Sequence, residues 1–282
     1  MKKENGQNKE SASLRFLYHT VPGRVLLRLL TARWVSGVTG AFLSSSLSRF
    51  LVRPFLRKNG IDPTLYETDR FATFNDCFSR RILPEYRPVD RDPKALISPC
   101  DGLLTVYPIQ DGTVLPVKQS LYSVSSLLRD EAAAERFRDG LCLVFRLCVD
   151  HYHRYCFPDD AEAGTPSKLN GVLHTVRPIA LEQFPVFTEN SREVTELCTA
   201  HFGRMMQIEV GAMFVGKIAN HPGKSTVCRG EEKGTFLYGG STIILLLEKD
   251  RAEILPTILS ENALGKEYPV RYGARIGTST AG

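Results

Sequence analysis

Two patterns of apolar residues divide this chain. From Leu14 to about Arg81 they recur three and four positions apart (Leu26, Leu27, Leu30; Leu51, Phe55), which is the helical period. From Ala95 onward they come in short β-rich runs bounded by glycine, proline and aspartate. The strands expected there are Leu103–Tyr107, Leu141–Val149, Gly171–Arg177, Met205–Val210, Met213–Ile218 and Ser241–Glu248. Val210-Gly211-Ala212-Met213 reads as a bend between two of them. Asp62-Pro63 reads as a helix start, the aspartate capping and the proline in the first turn. Ser123 likewise starts a helix expected to run through Glu131-Ala132-Ala133-Ala134 to a stop at Gly140. The stretch after Glu248 reads as helix and irregular tail. The expected fold class is therefore α+β, with N-terminal helices followed by a largely antiparallel β-rich domain.

Charge changes the picture for the helical part. The formal net charge is only +5 over 282 residues, yet no acidic residue stands between Glu10 and Asp62. Arg15, Arg24, Arg28, Arg33, Arg49, Arg53, Arg57 and Lys58 are interleaved there with leucines and phenylalanines. Arg49, Arg53 and Arg57 fall on one helical stripe, which Pro54 kinks or restarts. The longest uncharged run, Trp34 to Ser48, is too short for a membrane span, which needs about 20 mostly apolar residues. Basic amphipathic helices lying in the interface are the expectation, with Arg24, Arg28, Arg33, Arg49, Arg53 and Arg57 toward anionic headgroups. A solvated basic face on ordinary core helices is the plainer alternative. Nucleic acid would attract the same charge, but no reading motif accompanies it and none is expected as a partner.

The expected organisation is a disordered N-terminus over 1–13, a basic amphipathic membrane-association segment over 14–70, and a folded domain over 71–282. With 43% apolar residues the chain can bury a sizeable core. Met1 to Glu10 is polar and charged, so no secretory signal is expected. Seven cysteines, an odd number without a C-x-x-C pair, read as free thiols in a reducing compartment. The address these features suggest is peripheral, on the cytoplasmic face of the cell membrane.

Gly239-Gly240-Ser241-Thr242 stands between Phe236-Leu237-Tyr238 and the apolar run Ile243 to Leu247. Two glycines permit a tight backbone that residues with a Cβ resist. They place the Ser241 hydroxyl beside the Gly240 carbonyl at the mouth of a buried strand, where it can attack and cut its own chain. Taken alone the motif is more simply a β-turn. Two other segments supply what a weak nucleophile needs: Ser98-Pro99-Cys100-Asp101-Gly102 and Asp150-His151-Tyr152-His153-Arg154-Tyr155. A carboxylate orients an imidazole, and the imidazole takes the serine proton.

With these segments the chain resembles the phosphatidylserine decarboxylases, which carry a Ser-Pro-x-Asp-Gly motif, an Asp-Tyr-His-type motif and a Gly-Gly-Ser-Thr cleavage site. Phe71-Ala72-Thr73-Phe74-Asn75, Arg87-Pro88, Tyr122-Ser123, Met206-Gln207-Ile208-x-Val210-Gly211-Ala212 and Arg229-Gly230-x-Glu232-x-Gly234-x-Phe236 also fit that family's pattern. The resemblance runs from about Phe71 to Leu247. It implies self-cleavage between Gly240 and Ser241, giving a large chain 1–240 and a small chain 241–282 that stay associated. Ser241 becomes a covalent pyruvoyl group that forms a Schiff base with phosphatidylserine, releasing phosphatidylethanolamine and CO₂. Residues 71–282 are then the decarboxylase catalytic domain, and a homodimer is compatible with this reading.

The same resemblance assigns Asp101 to the carboxylate of the relay and His153 to the base. Where many members have a second histidine this chain has Cys156, and His151 stands where an acidic or apolar residue is usual. His151, Cys156 and His174 are secondary candidates, His174 if the segments around Cys148 and Val172 pair as strands. No metal is expected. His151, His153 and Cys156 are suitable ligand types, but on a strand Cys156 points away from the histidines. The alternatives are an uncut serine hydrolase, whose nucleophile normally sits in a G-x-S-x-G turn, and a non-catalytic membrane-associated β-domain protein.

Overall fold

The structure is a computed structural model that describes residues 16, 20, 22–23, 33–110, 114–117, 120–171, 186–211, 218–223, 225–238 and 241–280. At 33–34, 36, 114–117 and 120–121 only the backbone is described. The helical part comprises α1 (Arg33–Leu43), a 3₁₀ turn (Ser46–Leu51), α2 (Val52–Asn59) and α3 (Phe74–Phe78). There follow β1 (Ala95–Ile97), β2 (Gly102–Pro108), β3 (Val114–Val117), β4 (Ser120–Ser123), α4 (Val124–Leu128), α5 (Glu131–Glu135) and β5 (Leu141–Leu147). Next come β6 (Arg154–Cys156), β7 (Ala161–Ala163), β8 (Ser167–Leu169), α6 (Val186–Glu189), β9 (Arg192–Thr199) and β10 (Gly203–Val210). The chain continues through β11 (Ile218–Asn220), β12 (Thr226–Val227), β13 (Glu232–Phe236) and β14 (Ser241–Leu247). It closes with β15 (Ala252–Ile254), α7 (Pro256–Ala263), β16 (Tyr268–Val270) and β17 (Arg275–Ser279).

Every pairing among the described strands is antiparallel. The main sheet has nine strands in the order β12-β7-β9-β10-β14-β5-β2-β16, with β8 also paired to β9. β14 lies inside it between β10 and β5, and all seven of its residues are buried. An unbroken run such as Ile243 to Leu247 suits that place, because a strand covered on both faces has no polar side to present. A three-stranded sheet β11-β13-β6 covers one face. Gln207 Nε2 donates to the Cys156 carbonyl at 3.1 Å and Lys233 Nζ to Glu209 at 2.7 Å, so the face of Gln207 and Glu209 meets this smaller sheet.

The helices dock on the same end. Ser48 Oγ accepts the Phe74 N–H at 2.8 Å, and Asn75 Nδ2 donates to Ser44 Oγ at 2.8 Å. α3 begins with a capping box in which Thr73 and Asp76 satisfy each other's backbone donors. Phe74 and Phe78 then pack with Leu43, Phe55, Val149 and Tyr238.

Several expectations need correction. The helix expected from Ser123 to Gly140 is two short helices. Arg129 adopts a left-handed conformation (φ 54°) that ends α4, and the Asp130 carboxylate caps α5 at Ala133 N. Asp62 does cap at Thr64 N, but only a 3₁₀ turn, Pro63–Leu65, follows it. The arginine stripe is split between the 3₁₀ turn and α2, with Pro54 in the first turn of α2, where its missing N–H costs nothing. The stretch after Glu248 is more ordered than expected: β15 and β1 flank β17, and β16 forms the sheet edge on β2, where Pro269 needs no ladder partner. All but Gly171 of the strand expected over Gly171–Arg177, most of Met213–Ile218 and the disordered segment 1–13 lie outside the described residues.

Candidate active site

Ser241 is the first residue of β14, opposite Leu147 of β5. Its side chain is fully buried, and among the described residues its Oγ has no hydrogen-bond partner. Alternation along β14 sends it to the face of Ile243, which lies opposite Glu209, so Ser241 faces the smaller sheet. A buried hydroxyl without a partner costs about 1–3 kcal/mol, a reason to read it as functional.

The approach to Ser241 is held from both layers. Phe236 N and Thr235 Oγ1 donate to the His153 carbonyl at 2.9 and 3.2 Å. Two residues on, Tyr238 N donates to Asn75 Oδ1 at 3.4 Å. The Tyr238 ring sits edge-on to Phe74 and Phe78, with centroids at 5.0 and 5.4 Å. Phe78 lies 4.0 Å from the imidazole of His153, so one phenylalanine carries both the base candidate and the segment before the serine. Gly239 and Gly240 lie outside the described residues.

His153 is fully buried, and its Nδ1 lies 2.9 Å from the His151 carbonyl. That contact makes Nδ1 the protonated nitrogen and Nε2 the basic one, the tautomer a general base requires. The turn carrying the histidines is braced by Arg80, whose Nη2 donates to the carbonyls of Asp150 and His151 at 3.0 and 3.2 Å. His151 does not share a strand with His153: its ring folds back so that Nδ1 accepts the Cys148 N–H at 3.1 Å. Burial holds this imidazole below the usual histidine range, against the opposing pull of Asp150 and Asp101.

The Asp101 carboxylate, expected to serve in the relay, has an arginine as its partner. Arg87 grips both Asp101 oxygens, Nε to Oδ1 at 2.7 Å and Nη2 to Oδ2 at 2.5 Å, and Tyr272 N donates to Oδ1 at 2.9 Å. Such a fork is the strongest pairing a carboxylate finds in a protein. Asp101 is also one of the carboxylates that pull the His151 imidazole upward against its burial. Cys156 packs in a separate apolar cluster with Ala95 and Ile97, and burial pushes its thiol up to about 12. At that value the thiol stays neutral near pH 7. His174 lies outside the described residues.

The set His151, His153 and Cys156 is not gathered. Among the described residues the donors that converge are Cys148, Asp150 and His151, and the Cys148 thiol has the Arg146 guanidinium 3.2 Å away. The sequence alone gives Arg80 and Arg87 no role. Arg87-Pro88 is visible as a pattern, but the partner of Arg87 lies fourteen positions on, at no diagnostic spacing.

The chain is similar to known proteins over most of its length. A family model described as phosphatidylserine decarboxylase matches residues 74–278. Phosphatidylserine decarboxylase proenzyme 2 of Clostridium acetobutylicum is 41% identical over 269 residues, covering 95% of this chain and 92% of that protein. A phosphatidylserine decarboxylase proenzyme of Clostridium botulinum is 36% identical over 272 residues (94% and 92%), and one of Chlamydia muridarum 36% over 274 residues (95% and 91%).

Proposed function

From the premise that this chain belongs to the phosphatidylserine decarboxylase family, we propose that it cuts itself between Gly240 and Ser241 and works at an anionic membrane surface. It is an enzyme that converts phosphatidylserine to phosphatidylethanolamine and CO₂. The observation that carries the site assignment is the buried, unpartnered Ser241 hydroxyl at the first position of the central strand.

His153 Nε2 takes the Ser241 proton, and Oγ attacks the Gly240 carbonyl in an N-to-O acyl shift. The resulting ester leaves by β-elimination, and hydrolysis releases ammonia and leaves a pyruvoyl group at position 241. That group fits the residues present, since Ser241 spends its hydroxyl on no other described partner. The pyruvoyl carbonyl supplies the electron sink for decarboxylation. Arg87 holds the Asp101 carboxylate in place with two hydrogen bonds, and Arg80 fixes the histidine turn. Phe78 packs against both His153 and Tyr238, which fixes the base beside the segment that leads to the cut.

The two chains have every reason to stay together. β14 pairs with β10 and β5, β16 with β2, and β17 with β1, so the small chain is knitted into the large one along four strand seams.

Residues 33–70 supply the membrane-facing segment. No helix among the described residues is long and apolar enough to cross a membrane. Leu47 (73%) and Phe50 (68%) are instead largely exposed, next to the exposed side chains of Arg49, Arg53 and Arg57. Apolar side chains ringed by arginine suit an interface where apolar groups enter the acyl boundary and cations meet headgroups. Arg24 and Arg28 lie outside the described residues, and of Arg33 only the backbone is described. Each arginine near an anionic surface contributes about 1 kcal/mol. Arg49→Gln/Arg53→Gln/Arg57→Gln should therefore weaken binding to phosphatidylserine vesicles by about 100-fold at low salt and slow CO₂ release from them. The wild-type chain should release CO₂ from such vesicles. Wild-type affinity in the triple variant would place the membrane contact elsewhere, and vesicles left unconverted by wild type would contradict the activity.

A further inference from the structure

Glu209 and Lys233 form an ion pair of 2.7 Å with side chains 0% and 3% exposed. Removing two charges from water costs about as much as their attraction returns, so net stability does not explain a pair buried this deeply. Its position does. Lys233 belongs to β13, whose last residue, Phe236, is followed within a few positions by the Gly240–Ser241 bond. Glu209 belongs to β10, directly opposite Ile243 of β14. Ser241 is thus the diagonal neighbour of Glu209 on the same face, about 7 Å away. The pair joins the strand that ends just before the cut to the sheet that holds the residue just after it.

We propose that the Glu209–Lys233 pair is a tether that keeps the cut end of the large chain seated, so that the site retains its shape once the chain is broken. This rests on the reading that cleavage falls between Gly240 and Ser241. Before the cut, β13 is fixed by the chain at both ends. Afterwards the chain no longer runs on past residue 240, and beyond the Tyr238 contacts with Asn75, Phe74 and Phe78 β13 keeps only its own noncovalent holds. Among the described residues those are its ladders to β6 and β11, the hydrogen bonds from Phe236 N and Thr235 Oγ1 to the His153 carbonyl, the contacts of Glu232 with Arg154, Arg81 and His221, and Lys233. Of these, Lys233 alone reaches into the main sheet through an ion pair. Asn220 extends the anchor, donating from Nδ2 to Glu193 at 2.7 Å and to Glu209 at 3.3 Å while its Oδ1 accepts from Tyr155 at 3.0 Å. The tether therefore spans β6, β9, β10, β11 and β13. Glu209 and Lys233 are positioning residues, since they act through the placement of Tyr238 and its neighbours.

A structural ion pair would matter equally in cut and uncut protein, whereas a tether matters more after the cut. The test is hydrogen exchange over residues 232–238, with Lys233→Met and the milder Glu209→Gln each placed in the wild-type chain and in an uncut Ser241→Ala chain. Exchange should accelerate by about tenfold or more in the cut protein relative to the uncut one, and kcat should fall although processing is complete. Equal acceleration in both backgrounds would overturn the tether. So would Lys233→Met and Glu209→Gln chains that stay uncut, because the pair would then serve the cleavage step. If Lys233→Met does not fold, the same comparison is made with Glu209→Gln. A wild-type chain that shows no cut by mass would instead overturn the reading on which the tether rests.

Discussion

Ser241→Ala should give a chain that stays at its full 31.5 kDa and releases no CO₂ from phosphatidylserine. Both losses follow from one atom, because Oγ is the nucleophile for the cut and its carbon skeleton is the source of the pyruvoyl group. The fold should not suffer. Ser241 Oγ is buried without a described hydrogen-bond partner, so deleting it removes a desolvation cost of about 1–3 kcal/mol and leaves only a small void. The variant should be as stable as an uncut wild-type chain or more so. That combination, activity abolished and stability kept, is the mark of a site maintained at a cost to the fold. Thermal unfolding followed beside a CO₂-release assay checks both halves. Cleavage in the Ser241→Ala chain would move the nucleophile elsewhere.

Arg87→Ala should both destabilise the fold and slow the cut. It leaves the Asp101 carboxylate, whose side chain is 9% exposed, without its bidentate partner. Stranding a buried charge costs about 3–5 kcal/mol, and in a chain of this size each kcal/mol lowers Tm by roughly 2–4 °C. Processing should slow as well, since Asp101 would lose the geometry from which its field supports the histidine turn. Arg87→Lys should recover little, because an ammonium cannot make the two parallel bonds to Oδ1 and Oδ2. Measuring Tm and the half-time of cleavage in pulse-chase separates the effects. A wild-type half-time in Arg87→Ala would show that the Arg87 grip on Asp101 plays no part in the cut.

The main-sheet strands are readable in the sequence because burial on both faces writes itself as unbroken apolar runs. Leu141 to Leu147, Met205 to Val210 and Ser241 to Leu247 each appear almost to the residue. The closing strands are hidden for the opposite reason. Ala252–Ile254 and Tyr268–Val270 span three residues each, and the second contains an edge proline, so neither carries a period. The Ser123–Gly140 helix misleads because Arg129 breaks it, and nothing in arginine announces a left-handed backbone. At the site, the place of Ser241 at the head of a buried strand is legible from the apolar run that follows it, whereas partnerships are not. Asp101 finds Arg87, and Phe78 meets both His153 and Tyr238, across separations that tertiary packing alone creates. Glu209, a lone carboxylate among apolar neighbours in a run that reads as a strand, is the one signal of the buried ion pair that the sequence carries.

The central claim is that Ser241 becomes a new N-terminus without an amine, and the intact masses of the purified protein test it most directly. The account predicts two species, a large chain ending at Gly240 and a small chain 241–282 lighter by one ammonia than a chain beginning with serine. A single species of 31.5 kDa, or a small chain that still carries its amino-terminal serine, would contradict it.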